Sequence, residues 1–191
     1  MFHQGLPVKD TTYYLPGYGG RLSTGLGKAL LDRGLSVSGR ETVGDFRALP
    51  FKEQVKLVAA DLRAHFWSGE SRVIANSFGG YLFLHAQATL PAYPGRVLIL
   101  SPIVGEFGDE STGTYFSPPH ADTLRELAES GAFPTPSDAQ IHVGELDWQS
   151  VPLNVKRFGE QTNIPVTVVP GAGHMLDHQY VGDLLDRWLA Q

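Results

Sequence analysis

The chain has 191 residues, a formal net charge of −5, 42% hydrophobic and 18% charged residues. That is the size and mixture of one globular domain, and the acidic balance offers no electrostatic footprint for nucleic acid or for an anionic membrane surface. With no cysteine in the sequence, disulfides, thiolate catalysis and Cys-based zinc sites are excluded.

The cysteine-free composition fits a reducing cytoplasm, which is the expected compartment. No apolar run approaches the roughly 20 residues of a membrane helix. The opening Met1-Phe2-His3-Gln4-Gly5-Leu6-Pro7 has no basic stretch followed by an apolar one, so no signal peptide is expected. No internal repeat or low-complexity tract interrupts the pattern.

The first predicted strand is Thr11-Thr12-Tyr13-Tyr14-Leu15, β-branched and aromatic, stopped by Pro16-Gly17. The loop Pro16-Gly17-Tyr18-Gly19-Gly20 has glycines enough for its backbone to approach a ligand closely, although a plain turn would read the same way. Leu22, Leu26, Ala29, Leu30 and Arg33 keep a helical period that Gly34 closes, and Leu35 to Ser38 reads as a short strand. A helix is predicted from Phe51 to Phe66 after Pro50, with Val55, Leu57, Val58 and Leu62 on its apolar positions.

Arg72 to Asn76 reads as a buried strand running straight into Ser77-Phe78-Gly79-Gly80 and a helix that ends near Leu90-Pro91. A serine on so sharp a strand-to-helix turn has its hydroxyl pushed into the open and needs small flanks, here Ala75 and Gly79. The bland alternative is that Ser77 only caps its helix.

Arg96 to Leu100 is the next buried strand. The stretch 102–138 follows, rich in Gly and Pro, with a helix from Ala121 to Ser130; it reads as a small lid-like insertion or a surface excursion. A strand at Ile141 to Val143 leads to Gly144-Glu145-Leu146-Asp147 and a helix from Val151 to about Gln161. The last strand, Val166 to Val169, leads to Pro170-Gly171-Ala172-Gly173-His174 and a final helix carrying Val181, Leu184, Leu185, Trp188 and Leu189.

Strands alternate with helices throughout, and their apolar runs suit a parallel sheet covered on both faces. The fold class is therefore α/β, a three-layer α/β/α sandwich with about six mainly parallel strands, in a single domain over residues 1–191. Right-handed crossovers set the strand C-termini along one edge, where open parallel sheets bind ligands.

Ser77, Asp147 and His174 each follow a separate strand, in the order Ser…Asp…His. A serine hydroxyl is a poor nucleophile near neutral pH until an imidazole takes its proton, and a carboxylate behind the imidazole fixes its tautomer. Glu145 is the nearest rival of Asp147. His174 and His178 stand at i and i+4 and could share a metal, but no third ligand stands out, so no metal is expected, and nucleophilic serine chemistry needs no cofactor.

Taken together, Ala75-Asn76-Ser77-Phe78-Gly79-Gly80, the stretch from Gly144 to Pro152, and Gly171-Ala172-Gly173-His174-Met175 resemble the nucleophile elbow, acid loop and histidine loop of the α/β-hydrolase superfamily. The resemblance covers most of the chain and is to small bacterial serine hydrolases and carboxylesterases with a reduced lid. It implies a minimal α/β-hydrolase fold lacking the two opening strands of a full-length member. It also implies Ser77, His174 and Asp147 as catalytic residues, and the backbone N–H groups of Tyr18 and Phe78 as the oxyanion hole. Pro16-Gly17 stands where the family often has His-Gly.

The expected activity is cleavage of a carboxylic ester or thioester of small or medium acyl length through an acyl-enzyme, with a small-molecule acyl substrate as partner. Tyr18, Phe78, Trp148 and Met175 are the substrate-contact candidates, with Phe107, Tyr115, Phe116 and Phe133 as further aromatic wall. The reading from a different class is a non-catalytic binding protein that retains the fold.

Overall fold

The structure, a computed structural model, describes residues 11–109 and 111–191. The opening residues on which the signal-peptide expectation rests lie outside that range. Six strands form one sheet in the order β2-β1-β3-β4-β7-β8. They are β1 (Thr11–Leu15), β2 (Ser36–Gly39), β3 (Arg72–Asn76), β4 (Arg96–Leu100), β7 (Asp138–Gly144) and β8 (Val166–Val169), and every neighbouring pair is parallel. Two further short strands, β5 (Phe107–Asp109) and β6 (Thr114–Phe116), make a separate antiparallel hairpin.

The period-two geometry of the strands divides the core between two faces. Tyr13, Leu15, Val73, Ala75, Val97, Ile99, Ile141 and Val143 point to one face. There they meet α3 (Phe51–His65), α4 (Phe78–Gln87), α5 (Thr123–Glu129) and α6 (Pro152–Thr162). Tyr14, Ile74, Leu98 and Leu100 point to the other, against Leu30 of α1 (Gly25–Leu31) and Leu184, Leu185 and Trp188 of α7 (His178–Leu189). Both faces of the sheet are thus covered, which is why the strands read as continuous apolar runs.

The expected α/β/α layering and six parallel strands are present. Two elements were not anticipated. One is α2 (Gly44–Ala48), five residues long and too short to show a period. The other is the β5–β6 hairpin, whose turn is held by Asp109 Oδ1 accepting from the Ser111 N–H at 2.9 Å. The segment 102–138 therefore holds a hairpin as well as α5. Among the described residues no helix is long and apolar enough to cross a membrane.

The strand order fixes where a site can form. The chain leaves β1 toward β2 on one side and returns to β3 on the other, so the loops after β1 and β3 part company at the sheet's switch point. Ser77 follows β3 at that point, and the loops after β7 and β8 open at the same edge because all six strands run the same way.

Candidate active site

Helix α4 is buried along nearly its whole length, and the turn that feeds it is tight. Ser77 has φ 52° and ψ −117°, a conformation that side chains avoid. Its backbone is pinned on both sides: the Ser77 N–H donates to Leu100 O at 2.9 Å, and Ser77 O accepts from Tyr81 N–H at 3.1 Å. Small residues make this possible. A Cβ on Gly79 would stand 2.1 Å from Leu15 O, and one on Gly80 3.0 Å from the side chains of Ile99 and Pro102. Helix and sheet are packed backbone against backbone beneath Ser77.

The hydroxyl so presented meets an imidazole. Ser77 Oγ lies 2.8 Å from His174 Nε2, and His174 Nδ1 lies 2.9 Å from each carboxylate oxygen of Asp147. The carboxylate can only accept, so Nδ1 carries the proton and Nε2 is left to accept from the serine. Asp147 is 2% exposed, and its Oδ1 also accepts from the N–H groups of Gln149 (2.9 Å) and Ser150 (2.8 Å). Its position is set by its own loop rather than by the histidine.

Glu145, the rival carboxylate, is turned elsewhere: its Oε2 accepts from Gly171 N–H at 2.8 Å and ties the acid loop to the histidine loop. Asp177 caps α7, accepting from Gln179 N–H (2.8 Å) and Tyr180 N–H (3.1 Å). Among the described residues no three His, Asp or Glu side chains gather as a metal site.

The loop after β1 presents free amides beside Ser77. Gly19 N–H donates to Thr42 O and Gly20 N–H to Gly17 O and Thr42 Oγ1, whereas the N–H groups of Gly17 and Tyr18 make no hydrogen bond among the described residues. Phe78, the first residue of α4, also has its N–H free there, because no carbonyl precedes it in the helix.

Two residues that sequence reasoning gave no role hold these loops. Thr42, 1% exposed, donates its hydroxyl to Gly17 O and accepts from Gly20 N–H at 2.9 Å, clamping the loop after β1 from the loop after β2. Ser150, fully buried, donates to Ser101 O, so its remaining lone pairs face His174 Nδ1, 3.5 Å away. A threonine after a weak strand and a serine before a helix carry no local signal of such long-range work. Ser150 stood in the acid-loop motif without a function.

A cleft of about 610 Å³ opens at Ser77 and His174. Of the four substrate-contact candidates, Tyr18 and Met175 line it. Phe78 and Trp148 do not. The Phe78 ring packs edge-on to Tyr18 at 5.6 Å between centroids and tilted against Phe51 at 6.3 Å, while Trp148 lies 6.0 Å from Phe107. Phe133 is no wall either: it is 7% exposed and packs against Phe158 in the core. In each case an aromatic near a loop in sequence found another aromatic to pack against.

No protein-family model matches the chain, nor does any curated protein at the level of sequence. Solved structures do match. The ydeN gene product of B. subtilis superposes with a TM-score of 0.67 at 13% identity, covering 95% of this chain and 100% of that one. A monoacylglycerol lipase of Paleococcus ferrophilus gives 0.65 at 14%, covering 97% and 95%. A structure from work on carboxylesterases of the thaumarchaeon Nitrososphaera gargenis gives 0.62 at 16%, covering 94% and 89%. The chain has the α/β-hydrolase fold.

Proposed function

We propose that the protein is a serine hydrolase that cleaves a carboxylic ester, or a thioester, through an acyl-enzyme. The observation that carries this reading is the unbroken line from Ser77 Oγ through His174 to a buried, fully bonded Asp147. Ser77 attacks the carbonyl carbon as its proton passes to Nε2 of His174. Asp147 holds the imidazole in the required tautomer and stabilises the imidazolium. The free N–H groups of Tyr18 and Phe78 receive the developing oxyanion, with Gly17 N–H close by. His174 then returns the proton to the leaving alcohol or thiol. A water deprotonated by the same imidazole releases the acid and restores the serine. The chemistry asks for no cofactor or metal.

The lipase and carboxylesterase among the structural neighbours support carboxylic-ester chemistry of the carboxylesterase type. The cysteine-free composition supports a cytoplasmic location. A fluorophosphonate probe followed by mass spectrometry tests the reading. A single adduct on Ser77, absent in Ser77→Ala and much slowed in His174→Ala, is expected. Folded protein without an adduct overturns it and leaves a binding protein that keeps the fold.

A further inference from the structure

The cleft at Ser77 opens among the loops at the top of the sheet and also descends along one face. Helices α1 and α7 both begin at the C-terminal edge and run down the same side, against Tyr14 and Leu100. At their lower ends Arg33 clamps them together: Nε donates to Asp186 Oδ1 at 2.7 Å, Nη2 to Gly182 O at 3.1 Å and Nη1 to Ala29 O at 3.0 Å. Gly182 of α7 belongs to this clamp, and a Cβ added to it would meet only Arg33 Nη2, at 3.5 Å. The result is a wedge, open at Ser77 and His174 and closed at Arg33, with Leu26, Ala29, Val181 and Leu185 on its walls. The α1 wall is seven residues, about 10 Å at helical rise.

Tyr14 of β1, 3% exposed, also lines the cleft. An open volume continuous with the serine and walled by Leu26, Ala29, Val181 and Leu185 describes a site that accommodates part of a ligand.

We propose that the α1–α7 wedge receives a linear arm of the ester, apolar for most of its length, and so sets the substrate class as esters with an unbranched medium-length chain. The inference rests on the hydrolase reading above. A branched or cyclic arm meets the Arg33 clamp and the two helix walls; a straight one slides between them. The arm can belong to the acyl group or to the alcohol, since the mouth is lined by both the oxyanion loop and His174. The chemistry of the arm is the same in either case.

Two ester series separate the sources: p-nitrophenyl esters from acetate to decanoate, and alkyl acetates from methyl to octyl followed by acid release. In one series kcat/KM is expected to rise roughly fourfold per added methylene until the wedge is full. The variants Ala29→Phe and Gly182→Leu fill the wedge from opposite walls, and circular dichroism checks that each is folded. Each is expected to lower the ratio of long-chain to acetate activity about 30-fold or more in the series that rose, as several methylenes lose their burial. Turnover of acetate with no chain-length dependence in either series overturns the wedge proposal and leaves the hydrolase reading standing. So does a rise that survives in both folded variants. No turnover and no fluorophosphonate adduct on Ser77 overturns both.

Discussion

Gly79 lies so close under Leu15 that a methyl group in place of its hydrogen would stand 2.1 Å from the Leu15 carbonyl oxygen. The neighbour is sheet backbone, which cannot turn aside as a side chain can. Gly79→Ala is therefore expected to lose about 3 kcal/mol, the upper end of overpacking costs. A urea melt checks it. A variant within about 0.5 kcal/mol of the parent would mean that α4 can lift off the sheet.

Ser77 is presented to His174 at a cost in backbone strain. Glycine adopts φ 52° and ψ −117° freely, whereas alanine does not. Ser77→Gly is expected to be about 1 kcal/mol more stable than Ser77→Ala, because strain relief exceeds the extra chain entropy of glycine. Thermal melts of the two variants side by side give the difference.

Asp147 and Glu145 are two residues apart, and only one faces His174. Asp147→Asn is expected to reduce kcat/KM roughly 10⁴-fold, since an amide favours the wrong imidazole tautomer. Glu145→Gln keeps an acceptor for Gly171 N–H and is expected to stay within about fivefold of the parent, as befits a loop tie. Steady-state kinetics on a single ester decide between them.

Two histidines away from the site should make the protein acid-sensitive. Burial, with a smaller contribution from His120, brings His85 down from the usual 6.5 to about 4. His85 lies among Phe51 and Tyr81, and its Nε2 has no partner. Burial, with Arg187 nearby, does the same to His142. Its Nε2–H donates to Gln140 Oε1 at 3.3 Å and its Nδ1 accepts from the Tyr180 hydroxyl at 2.7 Å, an arrangement only the neutral ring allows. Both folded values are depressed, so their stability contribution is complete above about pH 6.5 and drains away as pH falls toward 4. Each is worth about 3 kcal/mol at most. His85→Leu with His142→Gln is expected to flatten this acid limb, measured as denaturation midpoints from pH 7 to 4.

The sheet and the serine, histidine and aspartate were legible because each stands at the end of an apolar run, beside glycines that a tight turn demands. Legibility failed where packing partners lie far off in sequence. Thr42 reaches back to Gly17 and Gly20, Ser150 to Ser101, and a bidentate pair joins Arg40 to buried Asp61 at 2.6 Å through both oxygens. Nothing local in those stretches distinguishes such residues from ordinary loop or helix positions. The aromatic wall misled for the same reason: Phe133 and Trp148 have the chemistry of pocket residues, and only the fold says which way each turns. The short β5–β6 pairing lay hidden among glycines and prolines that read as loop.

His174 and Ser77 are anchored very differently. Ser77 follows β3, which has strands on both sides, while His174 follows β8, which pairs with β7 alone at the margin of the sheet. Margins open first when a protein breathes. A brief separation of β8 from β7 would carry the imidazole away and leave the serine in place, inert, on an intact core. On the hydrolase reading, activity would then fade on gentle warming before the molecule as a whole comes apart and would return on cooling, so its working range would be set by its outermost strand.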